Sequence, residues 1–300
     1  MSERSERTDD TAPSGSGDRA KRGSRSPTVA LNTGAGIPQL GLGTARVRDD
    51  QEIRRIVATA LEVGYRHVDT AASYDNEVGV GQGIADYGLP RDAVFVTTKL
   101  RGSQQGADTR VALEQSLERL GLDHVDLYLI HWPLPRLDRY VESWLVMEEL
   151  AAAGLTKAIG VSNFLPEHLD RLASASSTVP AVNQVELHPR EPQLAQRADD
   201  ARRGIVTEAW SPLTNAGDLL GVPTLVEIGE RYDKTPVQVV LRWHVQQGIV
   251  VIPKASHVDR LRQNLDVFDF SLSDDDLAQI ATLATGKRVN DQDPRTWEEF

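Results

Sequence analysis

Four polar residues, Asp69, Tyr74, Lys99 and His131, have the types and the spacing to form one acid–base site. Three of them close apolar runs: Arg66-His67-Val68-Asp69, Ala93-Val94-Phe95-Val96-Thr97-Thr98-Lys99 and Asp126-Leu127-Tyr128-Leu129-Ile130-His131. The intervals between these ends are 30 and 32 residues, the length of one strand–helix–strand repeat of roughly 30 residues. A phenol has an ordinary pKa of about 10, too high for efficient proton transfer at neutral pH. An ammonium beside it favours the phenolate and brings that value down. Lys99 is expected to supply this charge, Asp69 to hold the ammonium protonated, and His131 to orient a carbonyl oxygen or share the proton. Such a group would protonate the oxygen of a carbonyl while something else attacks its carbon. Taken singly, each residue has a plainer reading: Asp69 a helix N-cap, Tyr74 a surface aromatic, Lys99 a solvated strand end, His131 a satisfied core polar group.

The elements that must position them alternate along the chain. Strands are expected over 40–43, 66–69, 93–99, 125–130, 158–161, 181–185, 206–209 and 249–252. Helices are expected over 50–63, 77–87, 109–120, 137–153, 166–173, 193–203 and 236–247. Alternation of this kind predicts parallel βα units, here eight, hence an α/β (β/α)8 TIM barrel in a single domain. Two extra helices are expected over 224–232 and 273–283, the second opened by the capping-box-like Ser273-Asp274-Asp275-Asp276. A short hairpin is expected at the start, with Thr28 to Leu31 and Ile37 to Leu40 joined by the glycine-bearing Asn32 to Gly36. The later strands also end in polar residues, Ser162-Asn163, Gln184, Ser211 and Lys254. Barrel interiors are apolar and barrel chemistry lies at the carboxyl ends of the strands, so polar ends in register mark a binding face.

Residues 1–27 hold almost no apolar side chains and set six basic residues against five acidic ones. They cannot bury enough surface to offset ordering entropy and are expected to be a disordered tail, leaving 28–300 as the barrel domain. The 300-residue chain is 40% hydrophobic, enough for one large core, and its net charge of −11 speaks against a nucleic-acid surface. It has no cysteine, which excludes disulfides and thiolate metal sites. No apolar run approaches the roughly 18 residues that span a bilayer, and no signal-peptide core follows the start, so a cytoplasmic location is expected.

Five motifs stand in one order: Gly64-Tyr65-Arg66-His67-Val68-Asp69-Thr70-Ala71-Ala72-Ser73-Tyr74-Asp75-Asn76-Glu77; Leu129-Ile130-His131-Trp132-Pro133; Gly160-Val161-Ser162-Asn163-Phe164; Asn183-Gln184-Val185-Glu186-Leu187-His188-Pro189; and Ile252-Pro253-Lys254. The chain resembles the aldo-keto reductases from about Val29 to Leu283, and within them the bacterial 2,5-diketo-D-gluconate reductase-like branch. The resemblance implies that Asp69, Tyr74, Lys99 and His131 are a catalytic tetrad in an NADPH-dependent reduction of an aldehyde or ketone, including a diketone or keto sugar acid. It implies a bacterial, monomeric enzyme acting on a small molecule, with no metal, nucleic-acid or membrane partner. Hydride would come from the nicotinamide and the proton from Tyr74.

There is no G-x-G-x-x-G followed by an acidic residue some twenty positions on, so a Rossmann site is not indicated. Gly34-Ala35-Gly36 reads as a turn and Gly79-Val80-Gly81-Gln82-Gly83 as helix. Where Ile252-Pro253-Lys254-Ala255-Ser256-His257-Val258-Asp259-Arg260 passes from strand end to helix start, exposed N–H groups favour an anion. The plainer alternative is a helix capped by Ser256 with solvated basic residues. The resemblance implies that Lys254 and Arg260 grip the 2′-phosphate, with Ala255 in place of a common serine and Ser256 beside it, and that Gln263 and Asn264 contact adenine. It further implies that Ser162, Asn163 and Gln184 hold the nicotinamide carboxamide and that Trp210 stacks on the nicotinamide ring, with Thr44, Asp69, Ser211 and Leu213 also among the cofactor-binding residues. Substrate contacts are expected from Tyr74, His131, Trp132 and Ala45. Ala45 stands where relatives carry an aromatic, and the loop after Trp132 and the tail after Leu283 are short. A wide, open pocket is therefore expected; the sequence leaves open whether Trp297-Glu298-Glu299-Phe300 reaches it or lies free. Two competing readings are a cofactor-binding regulatory module of the same fold and a metal-dependent barrel hydrolase, the latter lacking any H-x-H pair.

Overall fold

Strand-like runs built from Val, Ile, Leu and Thr, each followed by an amphipathic stretch, fold as the sequence pattern dictates in the computed structural model, which describes residues 26–214, 219–290 and 292–299. Strand β1 (Thr28–Ala30) pairs antiparallel with β2 (Gly36–Pro38), and Gly34 makes the turn at φ 83°. Eight parallel strands follow in chain order: β3 (Leu42–Gly43), β4 (His67–Asp69), β5 (Phe95–Leu100), β6 (Val125–Ile130), β7 (Thr156–Ser162), β8 (Val182–Glu186), β9 (Val206–Trp210) and β10 (Val250–Val251). Each neighbours the next, and the first and last edges meet. Gly41 N donates to Val251 O at 2.9 Å and Val251 N to Gln39 O at 2.8 Å, which closes the barrel. Strands β5 and β6 are buried at every residue, as expected of parallel strands covered on both faces.

Helices α1 (Asp50–Val63), α2 (Glu77–Tyr87), α3 (Thr109–Leu120), α4 (Tyr140–Ala152), α5 (Pro166–Ala175) and α6 (Leu194–Arg203) follow β3 to β8 in turn. Helices α7 (Pro223–Tyr232) and α8 (Pro236–Gln246) precede β10, α9 (Val258–Leu265) follows it, and α10 (Asp274–Ala281) comes last. Helix α1 shows why these segments are helical. Ile53, Ile56, Val57, Ala60 and Leu61 recur on one buried face, the Asp49 carboxylate accepts from Glu52 N, and Gly64 ends the helix at φ 123°. Ser273 and Asp276 form the expected reciprocal capping box on α10. The glycines of α2 serve packing rather than phosphate binding: a Cβ on Gly81 would lie 2.0 Å from Leu120 O, so α2 and α3 meet there only because the side chain is absent. The β1–β2 hairpin packs Leu31 and Ile37 against Phe95, Leu127, Val182 and Val250, plugging the end of the barrel opposite the site.

Most element ends lie within one or two residues of the sequence expectation, and two differences have a clear cause. Helix α4 begins at Tyr140 rather than 137, because Leu134 and Asp138 take left-handed backbone (φ 46° and 57°) that no helix can include. Order also begins before Thr28: Ser26 is buried and its Oγ accepts from Leu40 N at 2.8 Å, while Pro27 O accepts from Gln39 N. The tail expected over 1–27 otherwise lies outside the described residues.

Candidate active site

The four residues named from the sequence converge at the carboxyl ends of adjacent strands. Asp69 closes β4, Lys99 lies one residue before the end of β5, and His131 follows β6. Tyr74 comes from a single 3-10 turn (Ala72–Tyr74) just past β4. Lys99 Nζ donates to Asp69 Oδ1 at 2.6 Å and to Thr70 O at 2.9 Å. Both partners of this ion pair are buried, with Lys99 fully so. The ammonium sits 5.1 Å from the centre of the Tyr74 ring, and the imidazole of His131 meets that ring edge-on at 5.8 Å. The sequence predicts a lowered phenol pKa. Instead, burial pushes Tyr74 above its ordinary value and outweighs the opposing pull of Lys99, so Tyr74 keeps its proton at neutral pH. Burial disfavours the Lys99 ammonium, but Asp69 and Tyr74 more than offset it and hold Lys99 above its usual range.

A second buried carboxylate, not anticipated from the sequence, shares this cluster. Gln184 Nε2 donates to Asp69 Oδ2 and to Glu208 Oε2, both at 2.9 Å. Glu208 is fully buried, and burial followed by the nearby Asp69 charge pushes its carboxyl up to about 8. His67 lies 3.7 Å from Glu208 Oε1 and is held down to about 4, chiefly by burial. Glu208 Oε1 and His67 Nδ1 are buried without a hydrogen-bond partner. The available signal was a glutamate inside the apolar strand Val206–Trp210.

The residues expected at the nicotinamide end form one connected set. Ser162 Oγ donates to Gln184 O (2.8 Å), and Asn163 Nδ2 donates to His131 O and Ser162 Oγ (both 3.0 Å). Trp210 Nε1 donates to Asn163 Oδ1 at 2.9 Å, and its ring stands 6.5 Å from that of Trp132. Asn163 and Ser211 both take left-handed backbone (φ 64° and 47°), which turns the chain at the strand ends. Leu213 packs half-buried beside them. Thr44 Oγ1 donates to Asp69 O at 2.9 Å, so Thr44 braces the tetrad, and Ala45 next to it is only half-buried.

Lys254 and Arg260 are exposed, and neither forms an ion pair among the described residues. Between them the N-cap of α9 is His257, with no side-chain acceptor, so Ser256 does not cap this helix. The first N–H groups of α9 are left for another acceptor, and with two unpaired cations they fit a phosphate. Ala255 is buried, leaving its main chain as the contact it can offer. Gln263 is half-buried. Asn264 is buried and its side chain engages the Tyr65 hydroxyl, placing it further inside than its neighbour.

The tail decides what covers the site, and it overturns the expectation of an open pocket. Trp297 lies against Trp132 with ring centres 5.9 Å apart. Glu299 Oε1 is 2.7 Å from His131 Nδ1, Glu299 Oε2 accepts from Gly102 N at 2.9 Å, and Glu298 faces Arg136 at 3.9 Å. An aromatic from the far end of the chain thus occupies space that the short loops leave. A tail with few apolar residues gives no sequence signal of where it docks.

The sequence profile described as "Aldo/keto reductase family" matches residues 36–285. The chain belongs to the aldo/keto reductase family. It is 50% identical over 273 residues to an aldo-keto reductase of Mycolicibacterium smegmatis, covering 91% of this chain and 98% of that one. It is 45% identical to the methylglyoxal reductase DkgA of Escherichia coli, covering 88% and 96%. A crystal structure of a Bombyx mori aldo-keto reductase in complex with NADP superposes with a TM-score of 0.83 at 37% identity, over 89% of this chain and 95% of that one. This aldo-keto reductase is accordingly an NADP-dependent oxidoreductase acting on carbonyl compounds. Among its described residues no helix is long and apolar enough to cross a membrane.

Proposed function

We propose that this enzyme reduces small, uncharged aldehydes and ketones, dicarbonyls in particular, with Tyr74 as the proton donor. The observation that carries the reading is a phenol kept protonated by burial directly above a buried Lys99–Asp69 pair. NADPH supplies hydride to the carbonyl carbon when bound. Lys254, Arg260 and the open start of α9 would hold its phosphate, and Ser162, Asn163, Gln184 and Trp210 its nicotinamide end. As negative charge grows on the substrate oxygen, the Tyr74 hydroxyl passes its proton there. The Lys99 ammonium stabilises the phenolate left behind, and Asp69 keeps that ammonium in place. His131 and Trp132 hold the carbonyl against Tyr74.

Of the substrate classes that the family resemblance implies, the uncharged dicarbonyl is favoured over the keto sugar acid. Arg101 is paired with Asp75 at 3.7 Å and Arg136 with Glu298 at 3.9 Å. These two cations near the site are thus paired with carboxylates, and Glu299 adds negative charge beside His131. A monomer in the cytoplasm is the setting we infer for such a small-molecule enzyme.

The test is NADPH oxidation with methylglyoxal, a neutral diketone and a keto acid, in the presence of EDTA. The neutral carbonyls should be turned over with the higher kcat/KM, and Tyr74→Phe should lower kcat roughly 10²- to 10⁴-fold, the usual contribution of a general acid. Wild-type activity in Tyr74→Phe would refute the proton-donor role. NADPH binding without turnover of any carbonyl would support the regulatory-module alternative.

A further inference from the structure

Glu299 is an acidic side chain brought from the chain end onto a residue of the tetrad. Its carboxylate is nearly buried, 13% exposed, and so is the His131 ring at 12%. Oε1 contacts His131 Nδ1 at 2.7 Å while Oε2 is anchored by the Gly102 main-chain N–H at 2.9 Å. Ser73 Oγ lies 3.2 Å from the same ring nitrogen. Three features hold the tail in this seat. Trp297 packs on Trp132, Trp297 N donates to Asp293 O at 2.7 Å, and Gly102 has no side chain: a Cβ there would stand 2.7 Å from Glu299 O and 2.5 Å from Leu134 Cδ1.

The chemistry of such a pair is definite. A carboxylate on Nδ1 fixes that nitrogen as one bearing hydrogen and restrains the ring. The other charged groups around His131 are Tyr74, Asp69 and Lys99 on one side, and on the other the Arg101–Asp75 and Arg136–Glu298 pairs. Among the described residues, Glu299 is the carboxylate in contact with the ring. Its own carboxyl is subject to a raising effect of burial, yet the His131 charge and hydrogen bonds bring it down to about 2, so it is ionised throughout the working range.

We propose that Glu299 is a positioning residue for the reduction, acting through His131: by accepting from Nδ1 it fixes the hydrogen and the orientation of the imidazole, so that the ring is held toward the substrate oxygen. The proposal rests on the carbonyl-reductase reading of the site. No covalent step is added; the proton Tyr74 delivers is returned from solvent after product leaves.

The experiment uses the full chain with NADP+ bound. The ring 15N resonances of His131, which report which nitrogen bears hydrogen, are followed by NMR on 15N-histidine-labelled protein and assigned by their loss in His131→Asn. In Glu299→Gln, whose amide oxygen can keep the Gly102 contact while its NH2 faces His131, Nδ1 should lose its hydrogen and its resonance should move to the unprotonated range. The basic limb of kcat/KM should move to lower pH, because removing this negative charge lowers the pKa of the neighbouring Tyr74 phenol. Glu299→Asp should restore part of both shifts. Gly102→Ala, which dislodges the tail without altering a titratable group, should reproduce them. An unchanged His131 Nδ1 resonance in Glu299→Gln, or a fall in activity or melting temperature with that resonance and the limb in place, overturns the proposal. If the wild type reduces no carbonyl, the functional reading fails while the NMR resonances still decide whether the pair exists.

Discussion

Replacing Lys99 by Met removes the cation from a fully buried ion pair and leaves Asp69 with Gln184 Nε2 as its remaining side-chain donor. Methionine is close to lysine in length and fills the same space, so the cost is electrostatic rather than a cavity. Removing one partner of a buried pair costs roughly 3–5 kcal/mol, because the other charge is left in a low-dielectric interior. Thr70 O also loses its Lys99 donor. For a domain of this order the cost corresponds to roughly 2–4 °C per kcal/mol, so the melting temperature should fall by about 6–20 °C. The double variant Asp69→Asn/Lys99→Met should recover part of that loss, since it removes both charges, giving a coupling of about 1–3 kcal/mol. Thermal and urea unfolding followed by circular dichroism measure all four corners of the cycle. Activity should be lost in both Lys99 variants. A single variant melting within about 2 °C of wild type, or a double variant whose loss equals the sum of the singles, would refute the argument that the buried charges depend on each other.

Four other outcomes follow from the geometry. Neutralising Lys254 and Arg260 together should raise the Kd for NADPH by roughly 10- to 100-fold per lost charged hydrogen bond, with little change for NADH; equal effects on both cofactors would show that these cations do not contact the 2′-phosphate. Gly81→Ala should destabilise the fold by at least about 1–3 kcal/mol through overpacking of α2 on α3, read as a lower urea midpoint; a neutral result would mean the helices can part at no cost. The Glu208 carboxyl, raised to about 8 in the fold, ionises at its ordinary 4.5 when unfolded. It therefore opposes folding progressively as pH rises between those values, and Glu208→Gln should gain stability relative to wild type from pH 5 to pH 8. His67 works in the other window: neutral in the fold down to about 4, it charges at 6.5 when unfolded, so stability falls as the solution is acidified through that range.

Much of the site was legible because barrel strands carry a local signature. A buried parallel strand is a continuous apolar run, so a lysine or aspartate at its end stands out, and repeats of about 30 residues align those ends. That logic located Asp69, Lys99 and His131 at the ends of β4, β5 and β6, and it separated the glycines of α2 from a phosphate loop. It missed Glu208, whose significance lies in sharing Gln184 with Asp69 across two strands. It also mis-signed the Tyr74 shift, because the desolvation of a phenol depends on what the folded chain packs around it.

The sequence by itself determined the strand–helix alternation, the polar strand ends and the family motifs, since each is written in local periodicity and residue type. Tertiary structure alone decided the balance of burial against charge at Tyr74, the absence of a side-chain cap on α9 that leaves its N–H groups for a phosphate, and the docking of Glu299 on His131. These depend on which surfaces meet across 100 or more residues of chain, as the separation between Gly102 and Glu299 illustrates. No local pattern encodes such a meeting, because desolvation and long-range pairing exist only once the chain has closed on itself.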